Sequence, residues 1–259
     1  MNGFKNFPMA NSHGACPDGI PKFFSTMVKK MTTGLNRLEC LTAISEGEID
    51  FNMLPEEFRN DRAFIVRLLE IDGAFLADIP LNFQQDKELA ILSLHAGADF
   101  NLLDQSFRGD FEVMLVAIKC AGFFPERSPF AQVSLELRGD KKLAIEAIKR
   151  DAKAFQFIDK SLLSNQSFLI QSLQYNAPVF EFFPSAIQDD PEFVLNVISG
   201  GFGIDVGILE WASQEILDNK EVILEAIDRD HYSYRFASKR LKLHPAVLRL
   251  KHLNSRIKE

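Results

Sequence analysis

The chain has 259 residues, 46% of them hydrophobic, with 29 basic against 36 acidic side chains and 24 Phe beside three Tyr and one Trp. This is the make-up of a soluble, globular chain with a substantial core, and it excludes collagen-like, low-complexity and largely disordered classes. No run of about 18 apolar residues offers a transmembrane helix. Met1 to Lys5 is too polar to open a secretory signal. Cys16, Cys40 and Cys120 are too few and too scattered for a disulfide framework or a zinc site. The expectation is a cytoplasmic protein.

Charge is unevenly spread. From Arg235 to Glu259 eight basic residues face one acid, a local balance of +7, which leaves −14 for residues 1 to 234. An acidic body disfavours nucleic acid as the main partner, because phosphate binding rests on counterion release to a basic surface. The C-terminal segment keeps that reading open. Its cations interleave with Leu241, Leu243, Val247, Leu248 and Leu250. Such a segment either docks on an acidic partner or serves as the charged outer face of a last repeat.

In chain order, residues 1–34 hold Pro8, Pro17 and Pro21 among Gly, Asn and Ser, and are predicted to form a mobile arm. Residues 35–259 form a single α-helical repeat domain. A weak first unit starts at Asn36, with Leu41 and Ile44 in apolar register but Glu39 out of it. The period then becomes regular. Asp61, Asp86, Asp110, Asp140, Asn165, Asp190, Asn219 and His244 follow one another at steps of 25, 24, 30, 25, 25, 29 and 25. Three places after each stands an apolar residue (Phe64, Leu89, Val113, Leu143, Phe168, Phe193, Val222, Val247), with others at plus five and plus eight. This is one face of a helix of about 10 to 12 residues begun by an Asx cap.

Upstream of each cap lies a second pattern, apolar at three and seven places before it, with Pro, Ser or Asp at six before it. It predicts a short helix entered at that residue. A unit of this size cannot bury its own apolar face and must stack on its neighbours. The predicted fold is all-α: an α-solenoid of about eight 25-residue helix-turn-short-helix repeats.

The sharpest unit, ASQEILDNKEVILEAI from Ala212, with SLELRGDKKLAIEAI from Ser134 and PSAIQDDPEFVLNVI from Pro184, resembles the repeats grouped as domain of unknown function 4116. The resemblance covers about residues 50 to 253. It implies an all-helical repeat of a kind found in intracellular bacteria, including candidate secreted effectors, and in protists. It implies no functional residues. The two long steps and the Phe richness depart from its pattern.

The steps of 30 and 29 mark insertions, which in solenoids emerge as loops on one face and often bind. The first, Cys120 to Val133, carries Phe123, Phe124, Phe130 and Arg127. Exposed Phe beside Arg suits a partner-binding patch; the other reading has these Phe pack down to close a gap in the stack. The second, Ser199 to Trp211, carries Phe202 and four glycines but neither a preceding strand nor a following Lys-Ser, so it reads as a connector rather than a phosphate loop. Trp211 is expected in the core. Lys119, Lys149 and Arg150 fall in the last turns of successive long helices and add positive charge between the insertions.

His13, His95, His231, His244 and His252 share no metal spacing and read as surface or cap residues. Cys16, three residues after His13, is the one cysteine in an expected loop, but a catalytic thiol needs a rigid setting. No cofactor is expected. The function expected is non-enzymatic: a scaffold that binds another protein, either a bacterial effector, cytoplasmic or secreted into a host cell, or a regulator of one. The alternatives are an enzyme with an unrecognised site, or nucleic-acid binding through the basic C-terminal segment.

Overall fold

The structure, a computed structural model, describes residues 34–121, 128–200 and 206–256, with only the backbone of Val206 and 253–256. The predicted N-terminal arm, with His13 and Cys16, falls outside the described residues. All regular structure among the described residues is helical. Nine long helices succeed one another: α1 (Arg37–Ser45), α2 (Arg62–Ile71), α3 (Lys87–His95), α4 (Phe111–Cys120), α5 (Lys141–Arg150), α6 (Gln166–Tyr175), α7 (Pro191–Ser199), α8 (Lys220–Arg229) and α9 (Pro245–Arg256).

Every predicted cap precedes one of these helices. Backbone N–H groups of the first turn donate to Asp61, Asp86, Asp110, Asp140, Asn165, Asp190 and Asn219. The Nδ1 of His244 takes the same role, accepting from the Ala246 N–H at 3.2 Å. The Glu39 that spoils the apolar pattern of α1 also has a physical reason. Its carboxylate accepts from the Asn36 N–H at 2.7 Å while Asn36 accepts from the Glu39 N–H, a reciprocal capping box.

Burial follows a slightly different face from the one predicted. Places three, four, seven and eight after the cap are buried, as at Phe64, Ile65, Leu68 and Leu69 or Val222, Ile223, Ala226 and Ile227. The residue at plus five is half-buried in most helices, as at Val66, Leu115 and Leu224. The plus-seven place is often small (Ser93, Ala117, Ala147, Ser172, Ala226), which lets neighbouring helices approach. The two buried serines there donate to the carbonyls of Ala90 and Leu169 at 2.8 and 2.7 Å.

The linker between a long helix and the next short one is itself helical, which corrects the expectation of a simple turn. Segments of 3-10 helix at Phe51–Met53, Gly73–Ala77, Phe100–Leu102, Pro129–Gln132, Ala152–Phe157, Ala177–Phe182, Val206–Trp211 and His231–Phe236 precede the short helical turns. Four of them carry their own cap, with N–H groups of Ala74, Asn101, Lys153 and Tyr232 donating to Asp72, Asp99, Asp151 and Asp230. Phe51, Phe100, Phe130, Phe155 and Phe180 of these segments, and Phe183 just after one, are buried, while Phe75, Phe157, Phe182 and Phe236 pack half-buried against the core. Phe155 stacks on Phe183 at 4.7 Å between ring centroids, and Phe183 meets Phe180 at 5.5 Å and Phe193 at 6.2 Å, so aromatic contacts join three successive units.

Successive units touch element for element. Long helices pack on the next long helix from α1 to α6 and from α7 to α9, and 3-10 segments pack on neighbouring 3-10 segments. In three places the residue six before the cap donates its N–H to a carbonyl one unit back: Ser134 to Arg108 at 2.9 Å, Asp159 to Arg138 at 3.0 Å and Ser238 to Leu217 at 3.0 Å. Units that carry Pro55, Pro80 or Pro184 at this place have no N–H to give.

Candidate functional site

The sequence pointed to the C-terminal ends of α4 and α7, where the two insertions leave. Ordinary units exit the long helix in one of two ways. Either a glycine turns left-handed, as Gly97 does at φ 88° while the Ala98 N–H reaches back to the Ser93 carbonyl at 2.9 Å, or an Asx residue eleven places after the cap (Asp72, Asp151, Asn176, Asp230) starts the 3-10 helix in extended conformation. At the first inserted unit that eleventh place is Ala121, which is neither Asx nor Gly; at the second it is Gly201, which lies outside the described residues.

At both inserted units an arginine of the following helix reaches the end of the long helix. Arg150, last residue of α5, donates to the Ala121 carbonyl at 2.8 Å and to the Lys119 carbonyl. Arg229, last residue of α8, donates to the Ser199 carbonyl at 2.6 Å. A guanidinium suits this because its forked donors satisfy helix-terminal carbonyls while its charge complements the negative end of the helix dipole.

This geometry changes the roles of several predicted binding residues. Lys119 is exposed. Arg150 is exposed too, but its guanidinium is occupied as a helix clamp. Lys149 pairs with Glu146 at 2.7 Å and lies 4.1 Å from the centroid of the half-exposed Tyr175 ring. Phe130 is fully buried under Pro129–Gln132 and offers nothing to a partner; it fills the core at the re-entry of the first insertion. Phe123, Phe124, Arg127 and Phe202 lie outside the described residues, as do Gly201 and Gly203. Trp211, expected in the core, is half-buried and packs against it.

Two groups near the clamp deserve a chemical reading. The Cys120 thiol lies 3.7 Å from His95 Nδ1 on an exposed edge. Burial of the sulfur pushes the thiol up, against the nearby Arg150 charge that pulls it down. Cys40 is wholly buried, and burial raises it further, helped by Glu39. Among the described residues no three His, Cys, Asp or Glu side chains gather as a metal site.

The basic C-terminal segment is largely committed to the fold. Arg240 pairs with Asp218 at 2.9 Å, Arg235 with Glu210 at 3.1 Å, Lys242 donates to the Arg235 carbonyl at 2.8 Å, and Lys251 sits 3.9 Å over the Tyr234 ring. Lys258 and the Arg256 side chain lie outside the described residues.

Sequence reading missed two side-chain devices. Two places before the cap, a polar side chain often ties off the preceding 3-10 segment. Gln84 donates to the Ile79 carbonyl at 2.8 Å, Arg138 to Ala131 at 2.9 Å, and Gln188 to Phe180 at 2.6 Å. The second is an ionic ladder at the other end of the long helices. The residue after one cap reaches the next cap: Arg37 to Asp61, Arg62 to Asp86 at 3.1 Å and Glu88 at 2.6 Å, and Lys87 to Asp110 at 2.9 Å and Glu112 at 3.0 Å. Burial alone would raise the Asp86 and Asp110 carboxyls, but hydrogen bonds from Arg62 and Lys87 and from first-turn N–H groups outweigh it and hold both below the ordinary range. The signal was available as a basic residue at plus one followed by an acid at plus two of the next unit.

The fold and these devices define an all-helical chain whose polar side chains serve mainly as caps and struts between units, and no described helix is long and apolar enough to cross a membrane. Residues 140–188 and 190–242 match the family described as Domain of unknown function (DUF4116), so this stretch is a DUF4116-type domain, within the reach of the resemblance read from the sequence. The first matched stretch spans two 25-residue steps, the second spans the 29-residue step and one of 25, and the two meet at the Asp190 cap. None of the curated proteins and none of the solved structures matches the chain.

Proposed function

We propose that the units stack as an α-solenoid that acts as a non-enzymatic scaffold binding another protein, with the two insertions as its main recognition elements. The observation that carries this reading is the matched pair of clamps. Arg150 and Arg229 each fix the end of a long helix where an insertion departs, so a loop of partner-binding composition leaves from a rigid anchor in both places. The exposed Lys119 stands beside the first anchor, and Phe123, Phe124, Arg127 and Phe202 belong to the loops themselves. Element-for-element contact between units supports the stacking. The family resemblance supports a cytoplasmic or host-delivered bacterial effector, or a regulator of one.

The test replaces Phe123, Phe124 and Arg127 together with Ala and Ser, verifies helicity by circular dichroism, and compares proteins captured from lysate by quantitative mass spectrometry. Loss of a specific captured protein is the expected result. An unchanged capture profile with the fold intact removes the first insertion from the proposal.

A further inference from the structure

The ionic ladder runs from α1 to α4. At the step from α6 to α7 the acceptors recur, with Asp190 at the cap and Glu192 two places on, in the positions of Asp86 and Glu88 and of Asp110 and Glu112. The residue that supplies the cation in the earlier steps, Arg62 or Lys87, is here Gln166. No ion pair joins Asp190 or Glu192 to a cation of the described chain. This is also the one pair of successive long helices whose backbones are not closely packed. Both contribute Phe at plus three, Phe168 and Phe193, a bulkier pairing than at any other step.

A groove of about 260 Å³ opens between the two helices. Leu163, Leu169, Ile187 and Phe193 form its apolar walls, and Asp190 and Glu192 stand among its lining residues with Gln166. The combination fits one chemistry. A groove that offers both apolar side chains and two carboxylates suits a side chain with an aliphatic stem and a cationic head, which is arginine or lysine. A divalent metal needs six or more oxygens or a compact octahedral set, and two carboxylates without further acidic or carbonyl partners do not supply it. The molecule already carries the bound form of this arrangement, since Arg62 occupies the same place between Asp86 and Glu88.

We propose that the groove between α6 and α7 is a docking site for a basic side chain of a partner polypeptide, with its head group between Asp190 and Glu192 in the place that Arg62 fills one step earlier. The −14 balance of residues 1 to 234 favours a basic partner. The inference rests on the reading of the chain as a binding scaffold but not on the insertion loops. The loop variants above and the groove variants below therefore fail or succeed separately.

The experiment titrates the full ¹⁵N-labelled chain with a blocked peptide, acetyl-Gly-Ala-Leu-Arg-Ala-Gly-amide, and with the same peptide carrying citrulline, the uncharged isostere, in place of arginine. The arginine peptide is expected to shift the amides of Gln166, Glu192 and Phe193. Citrulline, or Glu192→Gln, should weaken binding roughly fivefold, the scale of an exposed charge pair in each case. Gln166→Lys fills the site from within and should abolish the shifts while leaving helicity unchanged. Conversely, Lys87→Gln vacates the rung at Asp110 and Glu112, and a second set of shifts should appear at Glu112 and Val113. Equal binding of the citrulline peptide, shifts scattered away from the groove, or undiminished binding to the Gln166→Lys protein would each overturn the proposal. If Lys87→Gln does not fold, the Gln166→Lys comparison alone decides it.

Discussion

Arg229 donates through Nη2 to the carbonyl oxygen of Ser199, thirty residues earlier, at 2.6 Å, and thereby ties the last turn of α8 to the last turn of α7. Arg150 makes the equivalent tie from α5 to α4. Both span an inserted unit, and the one spanned by Arg150 has Ala121 where its neighbours place Asx or Gly. Arg150→Ala or Arg229→Ala should each lower stability by about 1 kcal/mol, the net worth of hydrogen bonds from a charged donor at an exposed site. Lysine should recover only part of this at position 150, because its point charge cannot serve two carbonyls in fixed geometry. Urea midpoints at constant m-value measure the difference. Equal stability of Arg150→Lys and the parent would argue against a bidentate clamp.

Among the described glycines, Gly73 has the least room for a side chain. Its N–H donates to the Ala96 carbonyl at 3.3 Å, and a Cβ added there would overlap the Ser93 carbonyl and meet the Ala98 nitrogen at 2.8 Å. Both are backbone atoms of the next unit and cannot rotate away. Gly73→Ala should therefore cost about 3 kcal/mol, the upper end of ordinary overpacking. Thermal unfolding reads it directly. Gly139→Ala, where the nearest groups are the side chains of Asp159 and Ser161 at 3.7 and 3.9 Å, is the control expected to be near neutral.

Phe130 was grouped with the loop residues by the sequence, yet it is wholly buried. Removal of the wholly buried Phe130 side chain should cost about 3 to 5 kcal/mol as a core cavity. A binding assay on Phe130→Ala would then report unfolding, not recognition. Denaturation of Phe130→Ala alongside capture by the loop variants distinguishes the two effects.

At the caps, Asp140→Ala should cost about 1 kcal/mol, whereas Asp140→Asn should stay within about 0.5 kcal/mol, since Asn165 and Asn219 already perform the same task. Chemical denaturation of the pair settles whether the oxygen or the charge matters. A cost for Asn equal to that for Ala would mean that charge dominates.

Acid should weaken the ladder in a defined sense. Asp86 and Asp110 are depressed in the folded chain, so their contribution is present above the unfolded carboxylate value and is lost as pH falls below about 4 through the folded values. Asp78, raised by burial and by Asp50, pulls the other way over its own range. Asp86→Asn should flatten the decline of the urea midpoint between pH 5 and 3. The same substitution should matter less in high salt, because both partners are partly exposed.

The sequence by itself determined the helices, their starts and most of their buried faces. Caps and apolar spacing act within a few residues, and a local interaction leaves a local trace in the chain. Even Glu39, which broke the apolar pattern, was legible as a capping box once its distance from Asn36 was weighed. What the tertiary structure decided involves pairs far apart in the chain: the burial of Phe130, the diversion of Arg150 from surface charge to helix clamp, the overlap that makes Gly73 irreplaceable, and the groove where Gln166 stands in for a cation. Each depends on which backbone atoms of a neighbouring unit come within a few ångströms. That distance is set by how side chains of different units pack together, as Phe155 does on Phe183, and no spacing along one helix encodes it.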